Sequence, residues 1–386
     1  MTRSPVVRLA LASLLVAGVA IGALRLFRLA AEGRFVRELG PLEPALYTRP
    51  NVKTENNAAR FFLAACRKLE LAPAEATLLQ ACDPADPAPP SPRLGQLVAS
   101  NEPALRLAAH GAFTWESFYG LDYSDGFQAR LPDLPQLVVL GKLLYFQARW
   151  ELHRDRVARA ATALQALGSL AASLELEAGL GPHLAGLTLE RWQLWGLVHT
   201  LAEKPLPRGR ALELARGLSP VDLTAQFPRV VGLEEASLRQ ATPWRTGPGS
   251  FLAEDWSRWR GASRALSLGR LPAKPAAVWA GKLKDPRLPN HEARLLSTLA
   301  QAQGVLAARR LVAAALACAE HREEHGSWPK TLGVLPASAQ PEPFTGELLF
   351  YDPGAGRLEV PGGVSLWRKL KLPQPPPPFA VALASP

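Results

Sequence analysis

Apolar residues recur at helical spacing along most of this chain, but the first apolar run is continuous. Residues 9–24 are sixteen uncharged positions bracketed by Arg8 and Arg25. Extended to residues 6–27, the run reaches the roughly 20 residues of a transmembrane helix, provided both arginines snorkel toward headgroups. A secretory signal peptide is the competing reading. Arg3 and Arg8 form its basic start, and Gly18 with Ala20, or Ala20 with Gly22, would suit the peptidase. Residues 1–37 are read as a retained membrane anchor, because the apolar run continues past Arg25 to Phe27. Arg25, Arg28, Arg34 and Arg37 follow the run, which by charge counting would hold the body in the cytoplasm. The short basic leader favours export instead. The expectation is a single-pass bacterial inner-membrane protein with its bulk in the periplasm.

Beyond the anchor, residues 51–238 read as a helical domain. Asn56 and Asn57 offer a cap for a helix over 58–66, residues 83–92 (DPADPAPPSP) read as a linker, and 94–110 as helix with a new turn at Glu102-Pro103. Residues 134–153, 156–179, 183–203 and 208–217 are four apolar-periodic segments with short breaks, so neighbours run antiparallel. They predict an array of helical hairpins packed like tetratricopeptide repeats. No consensus residues recur at a fixed period, and an irregular bundle fits the same pattern.

Residues 239–289 form a basic, Trp-rich loop region. From Asn290, a plausible N-cap, a long helix runs to His325 and stops at Gly326. Residues 348–351 and 357–360 flank Asp352-Pro353-Gly354 as a small β-hairpin, closing an α+β module over 290–372. Residues 373–386 read as a Pro-rich disordered tail. The fold class is mainly α: a transmembrane helix, a TPR-like array and a C-terminal α+β hairpin module.

The segment from Leu306 to Val360 carries a recognisable pattern. Glu324-His325-Gly326-Ser327-Trp328-Pro329 is followed by Leu332, Leu335-Pro336, Pro343-Phe344-Thr345-Gly346 and Phe350-Tyr351. It resembles the hGxxPxxLxxL…DPxTGxxxxY module of uncharacterised bacterial envelope proteins, and more distantly the C-termini of type II secretion pseudopilins. Glu342 stands where that module has Asp, Pro361-Gly362-Gly363-Val364 lacks the acidic calcium loop, and the prepilin cleavage signature is missing. The resemblance implies an envelope protein and not a pilin subunit.

Charge changes the picture only locally. The formal charge is +10, yet residues 1–37 carry six Arg and one Glu, and 239–287 carry ten Lys or Arg against three acids. The remainder is slightly acidic, which argues against nucleic acid as a partner. Cys66, Cys82 and Cys318 cannot all pair; a Cys66–Cys82 bridge would suit an exported body.

Three chemistries compete. His321, Glu324 and His325 match HxxEH on one helix face, the pattern of a metal-dependent hydrolase with two imidazole ligands and a carboxylate base. The alternative is a helix end, with His and Arg meeting the dipole and Gly326 as cap. Trp244, Arg245, Trp256, Arg258, Trp259, Arg260 and Trp279 would suit an anionic membrane or a partner, giving a peripheral lipid-interacting module over 244–284. In the other reading these Trp residues plug grooves between helices. Asp122-Tyr123-Ser124-Asp125-Gly126 reads as a turn. The favoured function is a non-catalytic, protein-binding scaffold of the envelope that needs no cofactor, its partners the membrane and another envelope protein.

Overall fold

The computed structural model describes residues 56–114, 116–121, 131, 133–203, 206, 209–240, 274–279, 290–334 and 341–383, with Lys53 and five helical positions between Gly18 and Leu26. Most of the expected anchor lies outside these residues. The chain is mainly helical, with one small sheet.

Local chemistry starts the early helices. Asn57 caps α1 (Ala58–Cys66) by accepting the Ala59 N–H at 3.1 Å, and its amide donates to Phe118 O at 2.8 Å. Proline in the first turn begins α2 (Pro73–Ala81), α3 (Pro92–Ser100) and α4 (Glu102–Gly111), where no intrahelical N–H is lost. Three long apolar helices follow: α5 (Leu134–His153), α6 (Val157–Glu175) and α7 (Leu180–Glu203). Each returns along its predecessor through a short connection. Gly186 lets α7 approach α6, since a Cβ there would lie 2.9 Å from Ala171 O. Next come α8 (Arg210–Arg216), α9 (Leu223–Gln240) and the single turn α10 (Ala276–Trp279).

The long helix α11 (Asn290–His325) has the limits its sequence predicted. Gly326 ends it at φ 73°, its N–H bonded to Arg322 O at 2.7 Å. By length and composition Ala293–His325 is apolar enough to cross a membrane, but 72% of its most apolar window is buried within the protein. It packs along α7, α8 and α9, so that side of the hairpin array is covered from within the chain.

One ionic contact sets its register. Arg309 of α11 pairs through Nε and Nη2 with both oxygens of Glu190 of α7, the latter at 2.7 Å. Its Nη1 donates to Val221 O at 2.6 Å, and Nη2 lies 3.7 Å from Glu175 of α6. Both carboxylates are fully buried. Burial, then the Glu190 charge, holds the Glu175 carboxyl well above the usual range. Ser219 Oγ donates to it at 2.9 Å.

After α11, β1 (Phe350–Asp352), β2 (Arg357–Glu359) and β3 (Ala380–Ala382) form an antiparallel sheet in that order, with α12 (Gly363–Lys369) between the last two. The hairpin and its Asp352-Pro353-Gly354 turn were legible; α12 and β3 were not. Phe344, Trp367 and Phe379 stack beneath α11, where Gly304 leaves room for the Trp367 ring. Glu342 organises the turn that follows it. Its buried carboxylate accepts the N–H groups of Phe344, Thr345 and Gly346 and the Thr345 hydroxyl.

Two proline-rich stretches lack regular secondary structure over most of their length and are pinned to the helical body by side-chain donors. The tail expected to be disordered from 373 is ordered through Leu383, and only 384–386 lie outside the described residues. Proline lacks an N–H but keeps a carbonyl acceptor. Arg191 donates to Pro373 O and Pro375 O at 3.1 Å, Trp367 to Pro373 O at 2.9 Å, and Trp195 to Pro376 O at 2.9 Å. The 83–92 stretch is held the same way. Arg149 donates to the carbonyls of Asp86, Pro87 and Ala88, and Tyr145 and His199 both bond Pro84 O.

Removing Arg309 leaves Glu190 buried without its cation, the costly half of breaking a buried pair. Arg309→Ala should lower stability by about 3–5 kcal/mol in denaturant unfolding. A loss below about 1 kcal/mol, the scale of an exposed pair, would show that the contact does not lock α11.

Candidate functional site

Between α8 and the last third of α11 lies an open groove of about 270 Å³. Ala211, Leu212 and Ala215 form one wall, and Ala313, Leu316 and Ala317 the other. Leu316 and Ala211 are its buried floor, and Leu212 stands 48% exposed on its rim. Its polar end is Glu320, His321 and Glu324. Two of the three residues singled out by HxxEH therefore line it.

The motif itself is arranged as a helix end. The His321 and His325 rings stack 4.2 Å apart at 20°. Carbonyl oxygens accept only, so each Nδ1 carries the proton that bonds it: His321 to Ser327 O at 3.1 Å, His325 to His321 O at 3.0 Å. An ion between the stacked planes would sit out of both rings, away from the nitrogen lone pairs. Glu324 is exposed. Among the described residues, no three His, Cys, Asp or Glu side chains converge as a metal needs. Arg322 lies 4.4 Å over the Trp328 ring.

Other predicted residues lie elsewhere. Trp279 is 3% exposed, packed in the core with its indole donating to Lys274 O at 3.2 Å. It plugs a groove between helices and does not face a membrane. Trp244, Arg245, Trp256, Arg258, Trp259 and Arg260 lie outside the described residues, as do Asp122 to Gly126. Cys66 and Cys82 are free thiols. Cys66 is buried in the α1 core, burial pushing its thiol up to about 12, while Cys82 bonds back to Leu78 O at 3.1 Å. The Cys66–Cys82 bridge is not formed.

Sequence reasoning missed the buried polar stripe of α7. Arg191, Trp195 and His199 recur every fourth residue and serve the two proline-rich segments in turn. Trp195 and His199 stack 5.9 Å apart. Burial pushes His199 and His183 down to about 4 and Arg191 down to about 10. The available signal was polar residues inside a segment apolar on every face. Comparison with known protein families, curated proteins and solved structures finds no match.

These buried groups shape the pH dependence of folding. His183 and His199 ionise near 6.5 when unfolded and near 4 when folded, so unfolding takes up protons between those values. Stability falls as pH drops through that window, by up to about 3 kcal/mol for each His. Glu175 has the opposite sign. Its raised value gives stability that is full below about 4.5 and lost as pH climbs through the folded-state value. Urea unfolding of the full chain in detergent should show stability rising between about pH 4 and 6.5, with Glu175 opposing the rise above about 4.5. Glu175→Gln keeps the donor and acceptor but cannot ionise, and should remove the opposing fall above about pH 4.5. An unchanged profile above about pH 4.5 would rule out that contribution of Glu175.

Proposed function

We propose that this chain is a membrane-anchored bacterial envelope protein, non-catalytic, whose helical body binds another envelope protein. The observation that carries the reading is the α8–α11 groove: apolar walls, an exposed Leu212 and no described element packed over it. A water-exposed leucine beside a concave apolar surface is what a partner's side chains cover. The apolar run over 9–24 supports the tether, and the likeness of residues 306–360 to envelope-protein modules supports the compartment. The body is assigned to the periplasm, and the antiparallel array is taken to pack like tetratricopeptide repeats. Binding then falls to the α8–α11 groove, since α11 covers the array on the side of α7, α8 and α9.

A photoreactive residue at Leu212, irradiated in the native membrane, should yield one discrete adduct with an envelope protein identified by mass spectrometry. The same residue at Phe113, exposed 69% and outside the groove, should not. Identical adducts from both positions, or none from Leu212, would remove the scaffold reading. So would stoichiometric zinc that survives chelation and is lost on His321→Ala.

A further inference from the structure

We propose that the α8–α11 groove seats one amphipathic helix of the partner protein. The partner's apolar stripe would fill the groove, and a Lys or Arg at one end would meet Glu320 and Glu324. The inference rests on the scaffold reading and adds the chemistry of what is bound.

Size points to side chains. About 270 Å³ lies below the usual 300–1,000 Å³ of small-molecule pockets and holds a few aliphatic groups. The walls point to a helix. Ala211 and Ala215 on α8, and Ala313 and Ala317 on α11, recur at four-residue spacing. Each pair puts small side chains in one row along a helix face. Alanine rows on two packed helices let a third lie close between them, near the short end of the 8–10 Å range of helix separations.

Charge selects the partner. The polar end offers two carboxylates, and neither forms an ion pair among the described residues. One Glu320 oxygen is buried with no hydrogen-bond donor. A buried acceptor without a donor is costly, and turning the Glu320 carboxylate toward a partner's Lys or Arg would satisfy it. An anionic lipid surface meets repulsion at the same place. The groove is thus complementary to a helix that is apolar along one face and basic at one end.

The test uses the full chain in detergent and two labelled synthetic helices of about fifteen residues. Both carry an Ala/Leu stripe at helical spacing; one ends in Lys and Arg, its twin in Glu. Fluorescence anisotropy should show saturable binding of the basic helix only. Glu320→Gln with Glu324→Gln should weaken it about tenfold, as expected of two partly screened pairs, and added salt should do likewise. Leu212→Asp should abolish it. Leu212 and Glu324 are exposed and Glu320 is half-buried, and unchanged circular dichroism would show that the fold persists. Equal binding of the twins, or binding indifferent to Leu212→Asp, would overturn the proposal. Should the twins bind equally while Leu212 still yields its membrane adduct, the charge-selected helix is wrong and the scaffold reading stands. An absent adduct removes the scaffold reading itself.

Discussion

The Arg309 guanidinium is the contact on which the rest of the structure turns. It has five N–H donors and no way to lose its charge, so it cannot enter an apolar interior without acceptors already in place. Glu190 supplies two and Val221 a third, from separate elements. Sliding α11 by one turn along α7 would move the cation about 5.4 Å from both carboxylates. Hydrophobic packing alone would tolerate such a slip, because α11 presents alanine and leucine nearly all round. A buried pair adds little net stability over an apolar one, but it penalises every wrong register. That penalty matters because everything after residue 325 is placed by α11.

The C-terminal module shows how placement propagates. With α11 fixed, Gly304 opens space for Trp367, and that ring brings Phe344 and Phe379 together. Phe379 lies just ahead of β3, so the tail must follow. Its prolines cross α7, where Arg191 and Trp195 stand ready as donors. Four residues further, His199 does the same for Pro84. One helix face therefore satisfies two backbone segments that cannot satisfy themselves through regular secondary structure.

That arrangement also marks where the sequence was legible. Both limits of α5 and of α11 could be read from periodicity and caps, because the forces that set them lie within a few residues. The β-hairpin was legible for the same reason, its turn sitting between two apolar runs. The tail was not: proline and low hydrophobicity predict disorder unless distant donors intervene, and Arg191 lies 182 residues from Pro373. The groove was half legible. HxxEH drew attention to His321 and Glu324, but the walls are alanines, which no motif distinguishes from those of a core helix. Trp279 has basic neighbours and could be read either as a membrane- or partner-facing residue or as a plug between helices; its indole meets a carbonyl and an apolar slot, as the second reading has it.

Charge accounting narrows where recognition acts. Each described histidine in the two pairs His183/His199 and His321/His325 donates one bond to a backbone carbonyl. Arg149 and Arg191 are spent on proline-rich carbonyls, and Arg309 on Glu190. Glu342 is spent on a turn. Among the described residues Glu320 and Glu324 hold no such bond, and they stand together at the end of an apolar groove. In a folded chain a polar group goes without a partner when something else is to supply it or when solvent suffices. One Glu320 oxygen is buried with no donor among the described residues, and a donor brought by the proposed helix would complete it.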